Sequence, residues 1–147
     1  MIINTRLFGT VDVVEDKIIT FKEGLPGFED LKKYILVEDI GADSSFKHLQ
    51  SIEDGDICFV IADPYQFCKD YAPIISEDYF EKLGGGADED FVLYVTVCLK
   101  NPIEETTLNL AGPFVIHTDN RLGIQVITEE KMYTTKHKLV DLVQERS

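Results

Sequence analysis

The sequence has little of several features that mark common protein classes. Its 147 residues include no tryptophan, only three cysteines, and no apolar run near the ~20 residues of a membrane-spanning helix. Cys58, Cys68 and Cys98 are odd in number and lack the spacing of metal ligands, which indicates reduced, buried thiols. The chain does not open with a basic region followed by a long apolar segment, so no secretory signal is predicted. We therefore expect a cytoplasmic protein without a disulfide framework or a membrane anchor.

Basic residues are also scarce. The chain has 14 lysines and arginines against 27 aspartates and glutamates, a net charge of −13, and residues 29–90 hold 16 of the acids but five of the basic residues. Such a surface repels the phosphates of nucleic acids and of anionic membranes, so neither is expected as a direct partner. A cationic protein partner is favoured instead, because opposite charge steers the encounter. The alternative is that the acidity only maintains solubility.

Short β-like runs recur along the chain between turn residues, with few helical signals among them. This pattern predicts a mainly β fold: a small antiparallel β-barrel-like single domain with one or two short helices. The barrel domain is predicted over residues 1–137 and a helical tail over 138–147, in which Leu139, Leu142 and Val143 share one helical face. The strands are predicted at residues 2–7, 10–14, 17–21, 34–38, 47–52, 56–62, 91–99, 107–111, 114–118 and 123–128.

A compact turn follows the third predicted strand. Pro26 presets φ at one position of a β-turn, and Gly27 can take the positive φ that the next position needs. Three large apolar residues surround the turn: Phe21, Leu25 and Phe28. Because a surface loop does not need three such groups, we predict a rigid, packed corner.

Other local signals place helix ends and a hairpin. Ser76 is the expected N-cap of a helix that Gly84 can close. Asp63, directly before a proline, is a second predicted N-cap. Residues 119–123 join two β-like runs and predict a hairpin loop with Gly123 at a positive-φ site.

Two predicted strands, 56–62 and 91–99, are apolar on both faces, so each must be covered on both sides. Residues 76–83 and 64–71 are the predicted covering segments, and a partner would occupy whatever they leave bare. In the 91–99 strand, the odd-numbered face is assigned to the core and the even-numbered face to the exterior. Three further polar residues lie inside apolar segments, where they either cap a barrel rim or contact a partner. The candidate partner-contact residues are Val92, Tyr94 and Thr96 on the outer face, Asp88, Glu89 and Asp90 in the preceding acidic loop, and the polar residues Gln50, Asn109 and Gln125.

The reactive side chains show no pattern that indicates catalysis or metal binding. His48, His117 and His137 lack the i, i+4 spacing of a helical metal pair, and there is no Cys-x-x-Cys. His117 lies in an apolar strand and is interpreted as a hydrogen-bonded structural residue. There is no nucleophile elbow and no glycine-rich phosphate loop after a strand. We predict no enzyme, no cofactor and no metal. The alternatives are a Cys–His pair formed in space, a hydrolase with clustered carboxylates, and a barrel that binds a small ligand.

The sequence resembles the FliW family of flagellar assembly factors over nearly its whole length. The most distinctive match is Glu-Gly-Leu-Pro-Gly-Phe at residues 23–28. Lys22, where the family usually has proline, the glycine run at 84–86 and the tail after His137 depart from the family pattern. The other matching segments, in the shared order and spacing, are residues 49–51, 59–64, 70–71, 95–97, 107–113, 123–127 and 133–137.

This resemblance implies a small β-barrel-like protein that binds other proteins and catalyses no reaction. It implies two partners: flagellin in the cytoplasm, and CsrA, an RNA-binding dimer that represses flagellin translation. Free FliW would occupy CsrA and relieve repression, non-competitively with RNA, whereas unsecreted flagellin would capture FliW and restore repression. The negative net charge of the chain fits such a role, because CsrA must present cationic groups to RNA.

Overall fold

Two short α-helices, eleven strands and four 3₁₀ turns form the regular structure of residues 1–38 and 46–146, the part of the chain that the computed structural model describes. This mainly β content confirms the predicted fold class. The helices are α1 (Glu77–Lys82) and α2 (Leu139–Arg146). The strands are β1 (Ile2–Thr5), β2 (Gly9–Asp12), β3 (Ile19–Thr20), β4 (Lys33–Glu38), β5 (Phe46–Ser51), β6 (Cys58–Ala62), β7 (Phe91–Cys98), β8 (Thr107–Leu108), β9 (Phe114–His117), β10 (Leu122–Gln125) and β11 (His137–Lys138).

Seven of these strands close into a ring, which confirms the barrel-like prediction. Neighbouring strands follow the order β7, β6, β5, β4, β3, β10 and β9, and β9 pairs back onto β7. The pairings in the ring are antiparallel except that of β10 with β3, which is parallel through Leu122 and Thr20. Strands β8 and β11 extend from the second half of β7, and β1 and β2 form a separate hairpin.

Aromatic and aliphatic side chains fill the inside of the ring. Phe21 and Tyr34 are fully buried, and their rings meet edge to face at 5.5 Å between centroids. Phe114 packs on the other side of Phe21 at 5.7 Å. Such edge-to-face contacts add to the stabilisation that burial provides. Ile19, Leu49, Ile61 and Ile116 complete this interior cluster together with Leu25, Tyr94 and the half-buried Val92.

The predicted corner after β3 is present and closes one end of the interior. The N–H of Phe28 donates to the carbonyl of Leu25 at 2.7 Å, and Gly27 takes a φ of 85°. Leu25 is 2% exposed, so the turn is anchored in the core as expected. Gly24 has a φ of 69°, and a Cβ there would lie 2.6 Å from the backbone of Glu29. The corner therefore requires glycine at this position for both conformation and space.

The hairpin before β10 differs from the prediction. Arg121 takes the positive φ, 56°, and Gly123 does not. The guanidinium of Arg121 donates to the carbonyl of Lys17 at 2.7 Å, which helps to hold the left-handed backbone in place. Gly123 is needed for space instead, since a Cβ there would lie 2.7 Å from the ring of Phe21.

The predicted covering segments pack on the outside of the ring. Helix α1 begins at the predicted N-cap Ser76, and Phe80 and Leu83 pack with Val115 and Ile124. The segment 64–71 opens with a 3₁₀ turn, and its aromatic residues pack over β6, β7 and β8. Both faces of the barrel wall are thereby covered in this region, as expected for strands that are apolar on both faces.

The tail after β11 also packs on this outer layer. Leu142 is 5% exposed and joins the outer cluster with Leu139. The side chain of Val143, predicted on the same helical face, lies outside the described part of the chain. His137 and Lys138 pair with β8, so the residues on either side of the predicted 137/138 boundary belong to the same strand.

Candidate functional site

A groove opens where β6 and β7 separate. The two strands pair at only two positions, Ile61 with Thr96 and Ala62 with Val95. After Ala62 the chain turns away into the 3₁₀ turn that begins at Pro64, which has no N–H to continue a ladder. The carboxylate of Asp63 caps this turn by accepting the N–H of Tyr65 at 2.9 Å, as its predicted N-cap role requires. The first half of β7 is therefore left beside a gap in the barrel wall.

Aromatic residues line this gap, which we call the β7 groove: the space of about 670 Å³ between β7, residues 63–66, residues 71–75 and Phe80. Tyr65 is 43% exposed at its rim, whereas Tyr71 is 2% exposed at its wall. The hydroxyl of Tyr71 donates to the carbonyl of Leu110 at 2.6 Å, which fixes the wall to the outer layer. A rigid aromatic wall of this kind is typical of sites that bind peptides or apolar ligands.

The charges around the β7 groove are mainly negative. Asp63 and Asp88 line it, and Asp88 begins a 3₁₀ turn of three consecutive acids that leads into β7. One cation, Lys47, also lies there: its Nζ is 3.3 Å from the hydroxyl of Tyr94 and 3.8 Å from the carboxylate of the exposed Glu38. The groove thus combines apolar walls with an acidic rim, which favours a partner that is both apolar and basic.

Burial raises the pKa of the phenol groups in this region. The pKa of Tyr71 is raised, first by desolvation and then by neighbouring groups that include Tyr133. The pKa of Tyr65 is raised by the same main cause, with a contribution from Asp63. Both hydroxyls therefore remain protonated at neutral pH and act as hydrogen-bonding groups, not as bases.

The candidate contact residues of β7 are placed differently from the prediction. Val92 and Tyr94 pack into the interior cluster, and Tyr94 is 9% exposed, so their assignment to the outer face is wrong. Phe91 and Leu93 face the outer layer, where Phe80 of helix α1 packs on Phe91, and both also border the groove. The reason is that both faces of the strand are apolar, and period-two alternation separates two faces without telling which is inside. Thr96, half-buried, lies on the same side as Val92 and Tyr94 and pairs with Ile61.

Contact of a partner with the β7 residues and the acidic turn stays a prediction, and the groove exposes some of these residues. Val92, Tyr94 and Asp88 line the groove together. Glu89 and Asp90 lie in the same acidic turn, where the carboxylate of Asp90 accepts the N–H of Ala87 at 2.8 Å.

The three polar candidates lie outside the groove lining. Gln50 is fully buried, and its Nε2 donates to the carbonyls of Ser51, Gly55 and Ile57, which fixes the loop between β5 and β6. Asn109 accepts the N–H of Gly112 at 3.0 Å, and Gln125 donates to the carbonyl of Gly112 at 3.0 Å. Asn109 and Gln125 thus meet at one loop, where both have a structural role.

Most of the groove lining was not among the predicted contact residues, including Lys47, Tyr65, Tyr71 and Phe80. The available signal was the tyrosine content of 64–71, a segment interpreted only as cover. Lys47 gave no signal, because its position depends on the register of β5 in the closed ring.

The remaining reactive residues have structural surroundings. Nε2 of His117 lies 3.0 Å from the carbonyl of Gly85, and its Nδ1 accepts the N–H of Asn120 at 3.0 Å, so the ring ties two loops together as interpreted. Burial raises the pKa of the Cys58 thiol to about 11, which keeps it protonated and unreactive near neutral pH. Within residues 1–38 and 46–146, no three His, Cys, Asp or Glu residues come together in a way that could hold a metal ion. No helix in the same residues is long and apolar enough to cross a bilayer.

Comparison with known proteins decides the family. Residues 2–139 match the family model described as FliW protein. The chain belongs to the FliW family. The flagellar assembly factor FliW of Alkaliphilus metalliredigens is 38% identical over 98% of this chain and 89% of its own length. That of Natranaerobius thermophilus is 40% identical over 95% and 92%.

A solved structure supports the same assignment. The crystal structure of the flagellar assembly factor FliW superposes with a TM-score of 0.87 at 32% identity, over 95% of this chain and 96% of that one. The resemblance found in the sequence is therefore confirmed, as is the barrel-like fold. Asp63 and Tyr94, which line the β7 groove, lie inside the matched range.

Proposed function

We propose that this chain is a cytoplasmic flagellar assembly factor that works by binding two proteins and catalyses no reaction. Its partners in this proposal are flagellin and the translational regulator CsrA. The family match over residues 2–139 is the observation that carries the proposal, because it covers the whole barrel. Competition between the partners would link flagellin synthesis to flagellin export: the chain relieves repression when free and allows it when flagellin is bound.

The geometry of the β7 groove supports a binding role. It offers an aromatic wall and an acidic rim beside the first half of β7. Burial raises the pKa of Tyr71 on the groove wall, so this hydroxyl stays protonated and donates to the carbonyl of Leu110. These are properties of a recognition surface, whereas general acid–base catalysis needs groups whose pKa lies near the working pH.

The charge of the chain supports a non-competitive action on CsrA. A net charge of −13 placed beside an RNA-binding protein raises the negative potential around it. Within a Debye length of ~8 Å at physiological ionic strength, this field disfavours RNA without any overlap of the two binding sites. A conformational change in CsrA would also weaken RNA binding, because the binding free energies of two ligands on one protein are coupled reciprocally whatever the cause. Salt dependence separates the two causes, since salt screens the field.

Two measurements test the proposal. Mixing the purified chain with monomeric flagellin and, separately, with CsrA should give complexes with one copy of the chain per partner subunit, read by size exclusion with light scattering. The chain must be followed by tyrosine absorbance, since it has six tyrosines and no tryptophan. Failure to bind either protein would contradict the proposal.

The second measurement titrates RNA against CsrA at fixed concentrations of the chain and at rising salt. A field effect predicts that inhibition weakens as salt rises and the Debye length shortens. Inhibition that is constant with salt would contradict the field effect and leave the conformational one.

One observation favours a second candidate, binding of a small ligand. The volume of the β7 groove, about 670 Å³, is in the range of small-molecule sites. The interior of the ring does not offer a comparable site along its central residues, since Phe21, Tyr34 and Leu49 are fully buried against one another. A small apolar molecule that binds the groove and leaves both protein complexes intact would favour this second function.

A further inference from the structure

The β7 groove exposes an edge of the barrel sheet. Backbone groups along an extended strand point alternately to its two sides, so two known bonds fix the direction of all the others. The carbonyl of Asp90 accepts the N–H of Thr118 at 2.9 Å, and the carbonyl of Thr96 accepts the N–H of Asn109 at 3.0 Å. Even-numbered residues of β7 therefore direct their backbone groups towards β9 and β8. Odd-numbered residues direct theirs towards β6 and the groove.

Among the described residues, no strand pairs with three of these odd-side groups. Val95 is paired with Ala62, and the N–H of Phe91 donates to the carbonyl of Asp88. Phe91 and Leu93 pair only with β9, so the carbonyl of Phe91 and both backbone groups of Leu93 face the groove. An unpaired row of this kind is the template on which an added strand forms.

The rest of the groove suits an extended polypeptide. Residues of an added strand would alternate between the two sides of the wall, with one set beside Val92 and Tyr94 and the other beside Phe91 and Leu93. Both sets meet apolar surface. Asp63 and Asp88 lie at the lining of the same groove, against one cation, Lys47, which is already engaged by Glu38. The charge complement of this lining is therefore a basic segment.

We propose that the first half of β7 accepts an extended segment of a partner protein as an added strand, and that this segment carries apolar residues together with at least one lysine or arginine. This inference rests on the proposed function for the existence of a protein partner, and it adds the mode of binding and the chemistry of the segment. Three backbone hydrogen bonds give the contact its direction, and the acidic lining selects the charge.

Amide hydrogen exchange of the intact chain tests the backbone part. In the free protein, the Leu93 amide should exchange at least tenfold faster than the amides of Val92 and Tyr94, which point to β9. On addition of saturating purified flagellin or CsrA, one of them should slow Leu93 exchange at least tenfold while Val92 and Tyr94 change less. The two neighbouring amides are internal controls in the same molecule.

Paired charge variants test the chemistry of the segment. D63N together with D88N should weaken the complex that protects Leu93 by ~3–10-fold at low salt, because two carboxylates are lost beside a basic segment. Asparagine at position 63 keeps an oxygen that can cap the 3₁₀ turn. D16N together with D119N is the matched control: the net charge changes equally, both residues are exposed, and neither lines the groove. Less than a twofold change is expected for it.

The outcomes separate this inference from the function on which it rests. If neither protein binds, the proposed function fails. If a partner binds and Leu93 exchange stays fast, strand addition is wrong while the proposed function stands. Leu93 protection equal to that of Tyr94 in the free protein would also overturn the inference, because the edge would then be closed. Equal weakening by both pairs of charge variants would overturn the basic segment.

Discussion

Truncating Tyr94 to alanine tests whether this side chain supports the barrel interior or serves only as a contact surface. The ring is 9% exposed and packs with the interior cluster beside Ile61 and Phe114. Removing a buried aromatic ring costs about 3–5 kcal/mol through lost burial and the remaining cavity. Since the ring also borders the groove, water can enter the space it leaves, and we expect a value at the lower end, about 3 kcal/mol.

The assay is urea unfolding followed by far-ultraviolet circular dichroism, because the chain has no tryptophan to report on the core. A loss of about 3 kcal/mol corresponds to a fall in melting temperature of roughly 6–12 °C for a domain of this size. Two controls isolate the cause. Y94F removes only the hydroxyl that lies 3.3 Å from Lys47 Nζ, and should cost less than about 1 kcal/mol. Y65A removes a ring that is 43% exposed at the groove rim and should also cost about 1 kcal/mol or less.

The reasoning would be refuted if Y94A unfolded at the same urea concentration as the parent chain. If Y94A bound a partner more weakly with unchanged stability, Tyr94 would be an outward-facing contact residue, as first predicted. A large loss for Y65A would show that the groove wall, and not the interior, carries the stability.

Three further outcomes are expected. Y71F removes the donor to the Leu110 carbonyl, 2.6 Å away, and should cost about 1–3 kcal/mol in urea unfolding; a neutral effect would mean that water replaces the bond. G24A should lower the melting temperature by more than G27A, because a Cβ at position 24 meets the Glu29 backbone whereas none lies within 4 Å at position 27; equal shifts would contradict the close contact. Stability should decline as the pH rises from about 9 towards 12. Burial raises the pKa of Cys58 from 9.0 to about 11 and that of Tyr34 from 10.0 to about 12, and a raised pKa means stability that is lost as the group ionises; a flat alkaline profile would contradict both shifts.

Local sequence patterns predicted those parts of the fold that depend on local chemistry. The turn at Pro26 and Gly27, the N-cap at Ser76 and the positive φ of Gly84 each follow from the conformational range of one residue. Gly123 shows the limit of this reasoning. A glycine in a hairpin suggested a positive φ, but the need was for space beside Phe21, a residue about a hundred positions away.

The candidate site depended on information that local patterns do not contain. The groove exists because β6 ends its pairing with β7 at Ala62, and that register is a property of the closed ring. The interior and exterior faces of β7 could not be distinguished, since Val92 and Leu93 are both apolar and the wall is covered on both sides. Gln50 illustrates the same point, because its burial comes from a loop that folds back over it.

The parallel pairing of β3 with β10 has a consequence for how the chain folds. The N–H of Thr20 donates to the carbonyl of Arg121 at 2.9 Å, so the ring closes between residues near the two ends of the sequence. Synthesis runs from the N-terminus, so the pairing of β3 with β10 cannot form until residue 121 has been made. Contacts between such distant positions make folding slow, since the entropy of closing a long loop is lost before the pairing of β3 with β10 provides stabilisation. Until then Phe21 lacks its neighbour Phe114, and the newly made protein exposes the side chains that later fill its centre.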